Sequence, residues 1–273
     1  MRSSCTDDRQ RYAEAIERAR SRLGSLAEPF VFLPATGSTN DVALARCAER
    51  AAPGSHGLVV VADEQTAGRG RRGRTWFSPP RAGLYVSVVL SPGSARVHPA
   101  RALSLVTIAA GVALAEGVAE AARLEIDLKW PNDLYVGGRK LAGVLAERAS
   151  DALVVVGYGI NIAPSAFPPE LRDRATSIES EGAGAIDRAH VLVETLAALA
   201  RRYDDLLDGR FDAILDAWRA RAPGAEGARV SWSTNAGAMS GVTAGIDDDG
   251  ALLVRADDGA TYRIVGGEVI WTP

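Results

Sequence analysis

Between residues 65 and 81 the chain carries five arginines and no acidic side chain. The stretch Gly68-Arg69-Gly70-Arg71-Arg72-Gly73-Arg74-Thr75-Trp76 sets four of them among three glycines. Glycine lets a backbone approach a phosphate closely, and arginine offers a planar fork of charge-assisted hydrogen bonds to its oxygens. These residue types therefore point to phosphate chemistry. The spacing formally matches G-x-G-x-x-G after a strand. A dinucleotide fingerprint, however, has to open a helix, and this stretch runs into Trp76-Phe77-Ser78-Pro79-Pro80. It also lacks the G-K-[ST] of a Walker A loop. Five like charges and repeated glycine predict a loop that is mobile when empty, orders around an anionic ligand and shields it from water. A solvated basic loop and a nucleic-acid contact of the arginine–glycine type are the competing readings.

Only two of the 31 basic residues are lysines, Lys129 and Lys140, and both fall in one short segment. A codon bias that exchanged interchangeable lysines for arginines would spare those that arginine cannot replace, since lysine is a compact ammonium on a flexible stem. Lys129-Trp130-Pro131-Asn132-Asp133 reads as a rigid bend bearing charge, aromatic and amide groups. Gly137-Gly138-Arg139-Lys140-Leu141-Ala142-Gly143 reads as a hairpin that delivers Lys140 to the start of an apolar strand, pointing along a sheet edge. In an average protein that lysine would be a solvated hairpin residue. The scarcity of lysine elsewhere favours a functional reading.

The elements that must position these groups can be read coarsely. A charged helix spans 7–26, and the first strand follows at 30–33. A helix begins near Ser38-Thr39-Asn40-Asp41, all good N-cap types, and stops at Pro53-Gly54. Apolar, β-branched runs at 58–62 and 84–90 flank the arginine loop as strands. A helix over 101–123 leads into the Pro131 bend, where regular structure must break. Strands follow at 134–136, 141–146 and 153–158, then helices at 190–207 and 211–221. After Pro223-Gly224 five short strands alternate with Asp249-Gly250, Asp258-Gly259 and Gly266-Gly267, a period suited to a small barrel. The fold class is α+β with a boundary near 223. It divides the chain into an N-terminal helical segment (1–28), a main domain (29–222) and a C-terminal β domain (223–273).

Together these residues resemble the biotin–protein ligases. The resemblance is carried by Ser38-Thr39-Asn40, the stretch from Gln65 through the arginine loop to Trp76, Lys129-Trp130-Pro131-Asn132-Asp133-Leu134-Tyr135, and Arg139-Lys140-Leu141-Ala142-Gly143 on to Glu147. Gly157-Tyr158-Gly159-Ile160-Asn161 and Thr176-Ser177-Ile178 add to it, and the motifs keep the family's order over roughly residues 29–273. The resemblance implies a class II aminoacyl-tRNA synthetase-like mixed sheet with helices, followed by an SH3-like barrel. It also implies ATP-dependent formation of biotinyl-5′-AMP and transfer of biotin to one lysine of an acceptor. By matching position, Ser38, Thr39, Asn40, Gln65, Gly68, Arg69, Gly70, Arg71, Lys140 and Gly143 are implied on biotin. Arg71, Arg72, Arg74, Trp76, Lys129, Asn132 and Asn161 are implied on ATP or the adenylate. Lys140 and Arg71 are implied as the catalytic pair. Biotin and MgATP are the implied small molecules, and a biotin carboxyl carrier domain of an acyl-CoA carboxylase is the implied acceptor. Some members carry an N-terminal winged helix-turn-helix. Ser38 lies too near the start for one, so a monofunctional ligase that binds no DNA is expected. Sheet edges in such folds pair readily, so a homodimer is among the assemblies it allows.

The chain-wide properties narrow the alternatives. A net charge of −3 gives no global pull toward nucleic acid or anionic membrane. Cys5 and Cys47 form no disulfide framework and, with three scattered histidines, no metal-ligand spacing. The start has no signal-peptide core, and the apolar run 102–115 is too short to span a bilayer. A cytoplasmic protein with no membrane contact and no metal held by the protein is expected. Lipoate– or octanoate–protein ligase is the rival within the same chemistry, and the arginine loop argues for biotin. A nucleic-acid module is disfavoured by the charge balance and by having only Trp76 and Phe77 near the loop for stacking. A ligase-like domain that binds biotin without catalysis is disfavoured by the intact set of charged motif residues.

Overall fold

A computed structural model describes residues 2–49, 54–182, 184–234 and 237–272, with side chains from Asp7 onward. The charged N-terminal segment forms α1 (Arg2–Arg18) and α2 (Arg20–Leu23). The main sheet is then threaded by β1 (Phe30–Leu33), α3 (Thr39–Glu49), β2 (Val59–Ala62), β3 (Gly83–Leu90), α4 (Pro99–Ala122), β4 (Asp127–Lys129), β5 (Asp133–Val136), β6 (Arg139–Arg148) and β7 (Val154–Asn161). Helices α5 (Arg188–Leu207) and α6 (Phe211–Arg219) follow, then β8 (Glu226–Thr234), β9 (Gly237–Ile246), β10 (Leu252–Ala256), β11 (Thr261–Ile264) and β12 (Val269–Trp271).

The valine-rich runs of β2, β3 and β7 are buried along their whole length, because helices cover both faces of this sheet. Its seven strands lie in the order β1-β2-β3-β7-β6-β5-β4, parallel only between β1 and β2. On one face Val60, Val89 and Val155 pack with Ala43 of α3. On the other, Val59, Val61, Val86 and Val88 join α4 and α5 in the main core. Helix α5 starts where Asp187 accepts a hydrogen bond from the Ala189 N–H at 2.9 Å, the expected cap.

Several expectations need correction. Helix α4 extends the 102–115 run to 24 residues, long and apolar enough to cross a bilayer, yet most of it is buried in the core. Lys129, read as the start of a bend, instead ends the edge strand β4, and Pro131 sits in the turn to β5. Lys140 is not at a sheet edge. Lys140 pairs with Tyr135 of β5 on one side and with Ala175 on the other, its N–H donating to the Arg174 carbonyl at 2.8 Å, and β7 takes over beside β6 from Ala142. The expected helix stop at Pro53 lies outside the described residues, as does the side chain of Cys5; Cys47 is a free thiol.

The segment 1–28 shares the core of the sheet domain. Tyr12, Ile16, Leu23 and Leu26 belong to the main apolar cluster, and Arg22 grips Glu194 of α5 through two hydrogen bonds of 2.8 and 2.5 Å. The C-terminal sheet, in the order β11-β10-β9-β8-β12, is antiparallel throughout. Its Val230, Leu252 and Val254 also enter the main cluster, so the change of texture near 223 marks a new sheet within one continuous core.

Glu194 is almost fully buried, while Arg22 is half exposed. The hydrogen bond from Arg22 holds the Glu194 carboxyl below its ordinary range, against the upward push of burial. A depressed carboxylate stabilises the fold above its unfolded pKa and loses that contribution as pH falls through the folded one. Arg22→Ala should therefore destabilise the protein by about 1–3 kcal/mol at neutral pH, with the difference fading under acid. Urea denaturation at several pH values measures this, and a pH-independent difference would contradict it.

Candidate active site

The first turn of α3 turns its polar side chains inward. Ser38, Thr39 and Asn40 are each at most 4% exposed. The Thr39 N–H and hydroxyl donate to Gln65 Oε1 at 2.9 and 3.1 Å, and Gln65 Nε2 donates to Ser78 Oγ at 3.0 Å. Ser87 Oγ of β3 lies 2.8 Å from Thr39 Oγ1 and 2.5 Å from Asn40 Oδ1. Asn40 Nδ2 donates to Glu147 at 2.5 Å. Of the residues picked from the sequence as helix-start types, Thr39 and Asn40 thus spend their side chains on a buried hydrogen-bonded network, which is favourable only when nearly every member has a partner.

Strand β7 supplies the floor for two of these groups. A Cβ on Gly157 would lie 2.1 Å from Asn40 Oδ1, and one on Gly159 would lie 2.3 Å from Trp76 Nε1. Two residues apart, these glycines share one face of the strand. Only glycine lets Asn40 and Trp76 lie against it.

The arginine loop closes on itself: the Gly70 N–H donates to the Arg74 carbonyl at 2.7 Å and the Trp76 N–H to the Gly68 carbonyl at 2.9 Å. The loop's own sequence lacks acids, but carboxylates from distant elements offset its repulsion. Arg69 bonds Asp41 at 2.6 Å and pairs with Glu147 at 3.3 Å. Arg72 and Arg74 both pair with Glu268, which precedes β12 in the C-terminal sheet. Arg71 differs. It donates to Asn132 Oδ1 at 3.2 Å and has no ion pair among the described residues, and burial lowers its pKa from the ordinary arginine value. Asn132 is fixed in turn by donating to the Val144 carbonyl at 2.5 Å.

The two lysines are held differently. Lys140 Nζ lies 2.7 Å from Asp133 Oδ1 and 5.5 Å from the Trp76 ring centroid. Gly143 leaves room for this pair, since a Cβ there would sit 3.3 Å from Asp133 Oδ1 and 3.4 Å from Lys140 Nζ. Lys129 has no carboxylate ion pair among the described residues. Its ammonium rests 5.1 Å from the Tyr135 ring centroid and 5.3 Å from that of Trp271. Burial lowers its pKa, partly opposed by the Asp133 charge.

These groups surround a cavity of about 560 Å³. Every candidate residue except Gly68 lines it. Gly68 lies behind Trp76, with its Cβ position only 2.5 Å from the Trp76 carbonyl oxygen. Asn161, 4% exposed, donates to the Thr176 carbonyl at 2.9 Å and so braces the segment after β7. The indole N–H groups of Trp76 and Trp271 are buried without an acceptor among the described residues. Participants that went unassigned in the sequence include Asp133, Glu147, Glu268 and Trp271. The first two stand inside motifs already recognised. Nothing local to Glu268 or Trp271 marks them. The arrangement combines a buried polar recess with two cations that have no ion pair among the described residues and a lysine steered by a carboxylate, which suits an acid to be joined to a phosphate.

The sequence matches the Biotin/lipoate A/B protein ligase family over residues 33–161 and the Biotin protein ligase C terminal domain over residues 229–271. A biotin--[acetyl-CoA-carboxylase] ligase of Mycobacterium tuberculosis is 37% identical over 240 residues, covering 86% of each chain. The chain belongs to the biotin/lipoate A/B protein ligase family. A second family member, the bifunctional ligase/repressor BirA of Bacillus subtilis, is 38% identical over 209 residues. That match covers 74% of this chain and 63% of the relative, so the chain spans less than two thirds of that protein's length. The biotin protein ligase of Aquifex aeolicus, solved in complex with biotin and ATP, superposes with a TM-score of 0.74 at 29% identity, covering 89% of this chain and 98% of that one. The mixed α+β fold with a C-terminal antiparallel domain is that of this family.

Glu268 links the arginine loop of this family member to its second sheet. Glu268→Gln should weaken the pairing by roughly 1 kcal/mol and raise loop opening about fivefold. Limited trypsin digestion reads this directly, as faster cleavage after Arg72 and Arg74. Unchanged cleavage would remove the latch role.

Proposed function

We propose that this chain joins biotin to MgATP, forming biotinyl-5′-AMP, and passes the biotinyl group to a lysine of a carrier protein. One observation carries the reading. A single cavity brings two cations that have no ion pair among the described residues, Arg71 and Lys129, together with the Lys140–Asp133 pair beside a buried hydrogen-bonded network. The names of the relatives and the biotin and ATP in the Aquifex aeolicus structure support it.

In the first half-reaction a biotin carboxylate oxygen bonds to the α-phosphorus, the bond from that phosphorus to the β-bridging oxygen breaks, and pyrophosphate leaves. Two anions must meet, so the barrier is largely electrostatic, and preorganised cations lower it. No base is needed, because the carboxylate is already ionised. Lys140, aimed by Asp133, and Arg71, aimed by Asn132, would stabilise the charge gathering on the carboxylate and α-phosphate. Lys129, Asn132, Asn161 and Trp76 would serve the rest of the nucleotide. Ser38, Thr39, Asn40, Gln65, Gly70 and Gly143 would shape the recess for the acid. Arg69, Arg72 and Arg74, each engaged with a carboxylate, would hold the loop in place more than touch phosphate. In the second half-reaction a neutral lysine amine bonds to the acyl carbon, AMP leaves and the nitrogen sheds a proton.

Mg²⁺ enters with ATP as part of the substrate; the described residues hold no group of three or more acidic, histidine or cysteine side chains that would cage a metal. The acceptor we propose is a biotin carboxyl carrier domain of an acyl-CoA carboxylase, in line with the names of relatives.

ATP–pyrophosphate exchange with biotin, lipoate, octanoate or no acid tests the reading. Exchange that depends on biotin supports it, exchange driven by lipoate or octanoate replaces the acid, and none with any acid overturns it. Lys140→Arg keeps the charge but not the compact ammonium seated beside Gly143, and should slow exchange by about 10²-fold or more; near-normal exchange would remove Lys140 from its role. Arg71→Gly should loosen the loop over the reactive acyl phosphate. Its expected signature is increased labelling of non-cognate lysines on a bystander protein, and an unchanged leak would count against Arg71 as the retaining group.

A further inference from the structure

The neighbours of Lys129 are anchored on both sides, by the segment that follows α6 and by the turn between β9 and β10 of the second sheet. The Leu128 N–H donates to the Arg221 carbonyl at 2.6 Å, and Trp130 Nε1 donates to the Gly250 carbonyl at 2.9 Å. Between these anchors the Lys129 ammonium lies against Tyr135 of its own sheet and Trp271 of β12. Trp271 is itself seated on bare backbone, since a Cβ on Gly224 would come within 2.8 Å of its ring. Its indole N–H, buried without an acceptor among the described residues, is a further donor in the same wall.

The contrast with Lys140 gives this slot its meaning. A carboxylate at 2.7 Å places Lys140 but cancels much of its field. Aromatic rings attract an ammonium through their quadrupole and carry no net charge, so they fix its position while leaving its positive charge and its N–H donors for an incoming anion. We infer that Trp271, supplied by the C-terminal sheet, is a positioning residue that holds Lys129 charged and undischarged for the polyphosphate of the nucleotide. The inference rests on the proposed use of MgATP. It adds that the second sheet sets nucleotide affinity through one ring and leaves the affinity for the acid alone.

The test is calorimetric titration of the full chain with MgATP, alongside the KM values for MgATP and biotin in pyrophosphate exchange, for Trp271→Leu, Trp271→Phe, Lys129→Ala and the Lys129→Ala/Trp271→Leu pair. Leucine keeps apolar bulk over Gly224 and lacks a π face; phenylalanine restores one. Trp271→Leu should weaken MgATP binding about tenfold, equivalent to about 1.4 kcal/mol, with the KM for biotin unchanged. Trp271→Phe should recover most of that loss, and Trp271→Leu should add little once Lys129 is alanine. MgATP binding as tight in Trp271→Leu as in wild type overturns the inference. So does a loss that phenylalanine fails to rescue, a loss additive with Lys129→Ala, or an equal rise in the KM for biotin. Wild-type protein that binds MgATP without biotin-dependent exchange would sink the ligase reading and leave the Trp271 inference to be decided by the binding data.

Discussion

The site depends on holding several positive side chains in one cavity without neutralising all of them. At close range in a partly buried setting, like charges repel by several kcal/mol when water and counter-charges are withheld. The structure divides the burden. Asp41, Glu147 and Glu268 hold Arg69, Arg72 and Arg74, so the loop is placed by three carboxylates that none of its neighbours in sequence provide. Arg71 and Lys129 are positioned by neutral groups, an amide oxygen in one case and two aromatic rings in the other. Lys140 stands between these extremes, steered by Asp133. A polyanion entering the cavity therefore meets charge that has been aimed and not yet spent, which is the arrangement electrostatic catalysis requires.

The same division explains why both sheets contribute to one site. The main sheet provides the flat floor, where Gly157 and Gly159 admit Asn40 and Trp76, and the hairpin that carries Lys140. The C-terminal sheet provides Glu268 for the loop, Trp271 for Lys129 and the Gly250 carbonyl for Trp130. Because the two sheets share a continuous apolar core, these contacts rest on a rigid relation and do not depend on side-chain pairing alone. The N-terminal helices add Tyr12, Ile16 and Leu23 to the main core and tie themselves to α5 through Arg22 and Glu194.

Local features of the chain were legible from residue types alone. Glycine and arginine alternation pointed to an anion-seeking loop, Gly137-Gly138 specified the hairpin that presents Lys140, and the β-branched runs specified strands. Those properties follow from backbone sterics and periodicity, which operate over a few residues. The candidate residues apart from Gly68 line one cavity, yet their types alone did not show which cations are paired. Which arginines are bound and which remain free was decided only by tertiary structure. Ion pairs and ring contacts depend on separation in space: Arg74 meets Glu268 and Lys129 meets Trp271 across more than a hundred residues of chain. Strand β4 was missed for a related reason. Asp127-Leu128-Lys129 has no β-branched residue and abuts Trp130-Pro131, so nothing local declares a strand, and its edge position comes from pairing with β5. The sequence by itself determined which chemical groups this protein has and the short turns that present them. The tertiary structure decided how their charges are distributed, because no local rule can place a partner brought close by the fold.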